Sequence, residues 1–158
     1  MRRRGFTFIE LMLSILIMIG SSVIVTQGLS RWTGVSETRA AVAETGALLR
    51  RASSQALGFG RPYIIKLTSA GVASLQGTRW NVGADGVSAT FVPDRTVVFP
   101  KRVLSVTLPG AKSTLVIDSG GPSVDAPVKL RFAEGAHTVE WTVTLSADGQ
   151  VSQSRVEK

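Results

Sequence analysis

An apolar run from residue 6 to residue 25, preceded by Arg2, Arg3 and Arg4 and broken by one ionisable residue, Glu10, constrains this chain more than any other feature. A helix rises ~1.5 Å per residue, so about twenty residues reach ~30 Å, the thickness of bilayer hydrocarbon. The run therefore predicts a membrane-spanning helix over residues 6–25, with the arginines holding the preceding end in the cytoplasm. A cleaved secretory signal is the competing reading, but it needs a shorter apolar core of ~7–15 residues followed by a small-residue cleavage site. Here the apolar core begins directly after Gly5, and Glu10 stands close to its start. A charge at the centre of a lone membrane helix costs ~2.5–3.5 kcal/mol, so such residues usually have a partner and a function. Snorkelling of Glu10 to the headgroups is the plainer alternative.

The stretch Gly5-Phe6-Thr7-Phe8-Ile9-Glu10-Leu11 closely resembles the processing motif of type IV pilins and of type II secretion pseudopilins. That resemblance implies that residues 1–5 are a leader removed after Gly5 by a prepilin peptidase. It also implies that Phe6 becomes the first, N-methylated residue and that Glu10 is the glutamate of the mature N-terminal segment. Cleavage would create an ammonium at Phe6, one helical turn from Glu10. In a packed filament the carboxylate of one subunit can pair with the amine of its neighbour, each offsetting the desolvation of the other. The partners implied are the peptidase, other pilin or pseudopilin subunits and the inner membrane.

The 158 residues suit one long helix plus one modest domain of about a hundred residues. The net charge is +7, but three arginines stand before Gly5; the rest of the chain carries 15 Lys+Arg against 11 Asp+Glu, 15 − 11 = +4. So mild an excess does not by itself indicate nucleic-acid binding. Without cysteine, neither a disulfide framework nor a thiolate metal site is available. Many members of the resembled family carry a C-terminal disulfide, and its absence here argues against a major, mechanically loaded pilin.

Beyond the apolar run, Arg31 and Trp32 read as a headgroup anchor or, equally, as an indole packed on the following domain. From residue 36 to 57 the pattern is amphipathic, with Val35, Val42, Leu49 and Ala56 at seven-residue spacing beside Thr38, Thr45 and Ala52. One helix continuous from residue 6 to 57 would be ~78 Å long. Gly58, Gly60 and Pro62 end it.

After Pro62 the pattern turns to strands, expected at 63–67, 72–75, 79–82, 89–92, 96–99, 103–108, 113–117, 128–132, 138–145 and 150–155. Residues 138–145 alternate cleanly, with Val139, Trp141, Val143 and Leu145 on one face, and Asp148-Gly149 turns the chain into a final strand. The fold class predicted is α+β and pilin-like: a long N-terminal helix, membrane-spanning in its first half, packed on a small antiparallel sheet or sandwich. The divisions are residues 1–5 leader, 6–58 helix and 59–158 extracytoplasmic β-rich domain. The stretches Leu115-Val116-Ile117-Asp118, Val128-Lys129-Leu130-Arg131-Phe132 and Ser146-Ala147-Asp148-Gly149-Gln150-Val151 resemble the C-terminal region of GspH/FimT-type minor pilins and pseudopilins.

Catalysis finds little support. Asp118-Ser119-Gly120-Gly121-Pro122 superficially resembles the nucleophile loop of trypsin-like proteases, but the lone histidine, His137, follows the serine where that chain order puts it before, and the chain is too short for that double barrel. A polar turn is the better reading. One histidine, no cysteine and scattered aspartates supply no metal-ligand spacing. No enzyme activity, cofactor or metal is expected.

DNA is the alternative partner, because some minor pilins of this type capture DNA at a pilus tip in natural transformation through basic C-terminal residues. Arg155 and Lys158 are the candidates here, with Glu157 between them and Gln150 where that subtype often has arginine. Arg61, Arg79, Lys101, Arg102 and Lys112 could add to a patch only if folding gathers them on one face. The function expected is structural: a single-pass inner-membrane minor pilin or pseudopilin assembled into a type IV pilus or a type II secretion pseudopilus, its β domain periplasmic or on the filament surface.

Overall fold

The computed structural model describes residues 7–68, 73–84, 86, 88–121, 126–134 and 137–157, with the backbone alone at 23, 24 and 26–31. Gly5, Phe6 and Lys158, and with them the leader cleavage and part of the DNA-contact expectation, lie outside the described residues.

Helix α1 runs from Phe8 to Ser53, 46 residues, or about 69 Å at the usual rise. It starts where Thr7 supplies a capping box: the Glu10 amide donates to Thr7 Oγ1 at 3.3 Å and the Thr7 amide donates to Glu10 Oε2 at 3.0 Å, satisfying two of the orphan amides of the first turn. The weak helix formers inside the run are accommodated by back-bonding, with Ser14 Oγ donating to the Glu10 carbonyl at 2.8 Å and Ser22 Oγ to that of Met18 at 2.7 Å. Arg50 and Arg51 in the last turn complement the helix dipole. The helix then loosens into a π-type turn, Ser54–Gly58.

Among the described residues no helix is long and apolar enough to cross a membrane. This overturns the membrane-spanning first half expected of the helix, and with it the single-pass inner-membrane placement. The described apolar stretch, residues 8–22, includes Glu10, Ser14, Gly20, Ser21 and Ser22.

The β part also departs from expectation. Instead of one small sheet or sandwich of ten candidate strands, eight strands form two four-stranded antiparallel sheets. They are β1 (Tyr63–Thr68), β2 (Ser74–Val82), β3 (Ala89–Val98), β4 (Val103–Thr107), β5 (Thr114–Ile117), β6 (Ala126–Glu134), β7 (His137–Leu145) and β8 (Val151–Glu157). Sheet orders are β3-β2-β1-β5 and β4-β6-β7-β8.

Two expected breaks are bridged. The stretches 72–75 and 79–82 join through Gly77 into β2, and 89–92 and 96–99 join through Pro93 into β3. Gly77 pairs with Arg95 and Thr78 with Pro93, which leaves Asp94 as the extra residue of a β-bulge. Proline is tolerated because β3 is an edge strand, where a missing amide interrupts no ladder on its outer side.

The second half of α1 lies on both sheets. Val42, Leu49, Ala52 and Ala56 are buried with Ala41 and Leu48, and they pack with Tyr63, Ile65, Leu75, Ile117, Leu130, Phe132, Val143 and Leu145 into one core. Full burial of a side chain the size of leucine or phenylalanine is worth ~1.5–3 kcal/mol, so this stripe holds the helix to the β layers. Thr38 and Thr45 enter the same face because their hydroxyls donate to the Gly34 and Ala41 carbonyls at 3.0 and 2.8 Å.

Candidate assembly site

The first part of α1 brings together what the sequence singled out and the structure describes. Phe8, Ile9, Leu11, Met12, Leu13, Ile15 and their neighbours to Ile19 are all exposed, Phe8 at 76% and Leu16 at 71%. Monomeric proteins rarely leave a contiguous apolar patch above a few hundred Å² uncovered. At the start of this patch, Glu10 is also exposed. Its Oε2 accepts from both the Thr7 amide, at 3.0 Å, and the Thr7 hydroxyl, at 2.9 Å. Glu10 is thus a helix-capping residue as well as a candidate pairing residue. The Thr7-x-x-Glu10 spacing is itself a capping-box signal, separate from the reading of Glu10 as a charge inside an apolar phase. Trp32 is 73% exposed and so is not packed on the β domain; the side chain of Arg31 lies outside the description.

Arg155 is placed on β8, facing the same side as Trp141 on β7. Its Nη2 stands 2.7 Å from Glu157 Oε1 and 3.4 Å from Glu134 Oε2, and its guanidinium lies 6.0 Å from the Trp141 ring centre. A cation shared between two carboxylates presents little free charge to a phosphate. Arg79 is likewise drawn toward Asp94, at 3.8 Å. These two members of the expected basic patch are therefore engaged within the fold, on different sheets.

The loop after β5 closes as a polar turn, with the Gly120 amide donating to Asp118 Oδ1 at 2.9 Å. His137 begins β7, exposed, in a different sheet from that loop's strand. Among the described residues no group of three or more potential ligands could hold a metal ion.

Two clusters escaped the sequence reading. The Asp94 carboxylate, 7% exposed, takes an ion pair from Arg51 and a hydrogen bond from Tyr63 Oη at 2.9 Å. The Arg51 hydrogen bond holds this carboxyl below the usual carboxylate range, with the Tyr63 hydroxyl adding to it against the opposing effect of burial. Burial first, and the bond to Asp94 second, push Tyr63 well above the ordinary phenol value. This cluster clamps helix to sheet; both of the carboxylate's closest partners come from elements far away in sequence, which no local pattern announces. The second cluster is an open groove of about 300 Å³ between α1 and the end of β3, lined by Glu37, Ala40, Ala41, Glu44, Val98, Phe99 and Pro100.

Comparisons with family models, with characterised proteins and with solved structures returned no match. The functional reading therefore rests on the motif and on the exposed helix.

Proposed function

We propose that the chain is a structural pilin-type subunit, a minor pilin or pseudopilin of the GspH/FimT type, built into a type IV pilus or a type II secretion pseudopilus. The observation that carries this reading is the uncovered apolar surface of α1 from Phe8 to Ile19, on a helix whose second half is anchored in a core. Such a helix has one end fixed and one end requiring partners, and packing against the helices of other subunits would remove that surface from water. The motif Gly5 to Leu11 supports the same reading. In it, a prepilin peptidase cleaves after Gly5, Phe6 is methylated, and Glu10 pairs with the Phe6 amine of a neighbour. Both Thr7 bonds fall on Oε2, and among the described residues Oε1 takes no hydrogen bond.

The test uses the absence of native cysteine. Leu16→Cys, 71% exposed in the wild type, should cross-link to other subunits in cells that assemble the filament. Adding Glu10→Ala should lower the yield sharply, because it leaves the neighbour's Phe6 ammonium without its carboxylate partner. Exclusively monomeric Leu16→Cys in folded protein would reject the reading. DNA capture is disfavoured by the engagement of Arg155 with Glu134 and Glu157.

A further inference from the structure

The groove between α1 and β3 has an apolar floor and an acidic rim. Ala41 and Phe99 are buried at its base, Ala40 and Val98 are exposed along it, and Val98 is 61% exposed. Glu37 and Glu44 stand two helical turns apart on the same side of α1, ~10 Å along the axis, both exposed. Among the described residues neither has an ion pair. On a chain with more cations than anions, a pair of carboxylates with no ion pair among the described residues over an apolar trough is the exception, and its complement is abundant on the chain's own surface. Lys66 on β1 and Lys129 on β6, for example, are exposed and have no ion pair among the described residues.

We infer that this groove receives a lysine or arginine of a second copy of the chain. The aliphatic stem would lie on Ala40, Ala41 and Phe99, and the charged head between Glu37 and Glu44. A long cationic side chain suits such a site because its methylene stem covers apolar surface while its head stays near carboxylates and water. The contact is heterologous, groove to lysine or arginine, and not an isologous two-fold. The inference rests on the assembly reading only in requiring that copies meet; it does not depend on Glu10 or on leader cleavage.

The experiment places a photo-cross-linking p-benzoylphenylalanine at Val98 in the full chain, mixes isotopically light and heavy copies, and maps cross-linked peptides by mass spectrometry. A parallel reporter at Leu16 shows whether copies associate through the helix. The expected result is a mixed light-heavy cross-link from position 98 to a lysine- or arginine-bearing peptide. Its yield should fall about threefold or more in Glu37→Gln/Glu44→Gln and at high salt, the range expected of a partly exposed ion pair. If the Leu16 reporter cross-links while position 98 gives nothing, captures a different protein, or ignores the Gln substitutions and salt, the groove proposal is overturned and the assembly reading stands. Failure of both reporters overturns both.

Discussion

Asp94 and Arg51 stand 43 residues apart in the chain and meet in a two-point contact, with Arg51 Nη2 donating to Asp94 Oδ1 at 2.8 Å and Nε donating to Oδ2. The bulge in β3 supplies the geometry. An extra residue between Pro93 and Arg95 re-aims one side chain without displacing its strand, and here it turns a carboxylate onto the last turn of α1. Asp94→Asn should therefore lower stability by about 1–3 kcal/mol, less than the ~3–5 kcal/mol for breaking a fully buried pair, because Arg51 is 49% exposed. Denaturant unfolding at neutral pH measures it.

The same pair predicts an acid limb. The folded-state pKa of Asp94 lies below its unfolded value of ~3.9, so its contribution is fully present above that value and is lost as pH falls through the folded one. The stability gap between wild type and Asp94→Asn should be constant from pH 7 to about 5 and close progressively below about pH 4. A gap independent of pH down to the acid transition would contradict this.

Tyr63 predicts the opposite limb. Its folded pKa is raised, so its contribution is complete below the unfolded value of ~10 and is lost as pH rises above it, while the unfolded chain ionises and the native one does not. Wild type should lose stability relative to Tyr63→Phe above about pH 10. Paired denaturation curves on either side of that value measure it.

Gly77→Ala probes the space around that tyrosine. A Cβ there would lie 2.3 Å from Tyr63 Oη and 2.7 Å from Leu48 Cδ1, so either the ring or the helix must shift. A loss of about 1–3 kcal/mol is expected, as for other overpacked cores. The Tyr63 to Asp94 bond should weaken with it, which would appear as a smaller effect of Tyr63→Phe in the Gly77→Ala background.

These elements also mark how far the sequence could be read. The alternation of Val139, Trp141, Val143 and Leu145 and the Asp148-Gly149 turn are local signals, and β7, β8 and their hairpin follow them; Gly149 takes a φ of 84° there, which a side chain would resist. The helix gives way at Gly58 for an equally local reason. Gly77 and Pro93-Asp94 carry the same local signal as true turns, yet they are bulge and edge positions, because only the neighbouring strand decides between a turn and a bulge. The Asp94 clamp and the Glu37–Glu44 groove were invisible for that reason: each is made by residues from separate elements. The apolar run reads as a membrane span by hydropathy, and among the described residues no helix meets that expectation.

Removing residues 1–30 should leave a soluble, cooperatively folding monomer, because the buried face of α1 begins near Gly34 and Thr38 and the core residues all lie beyond them. Circular dichroism and sedimentation measure it.

The central claim, a pilin-type subunit, is tested most directly by intact and N-terminal peptide mass spectrometry of the chain from cells that express a prepilin peptidase. The account predicts a chain beginning at N-methylated Phe6, with processing reduced in Gly5→Ala. A chain that retains residues 1–5 beside active peptidase, or one that begins near residues 20–30, would contradict it.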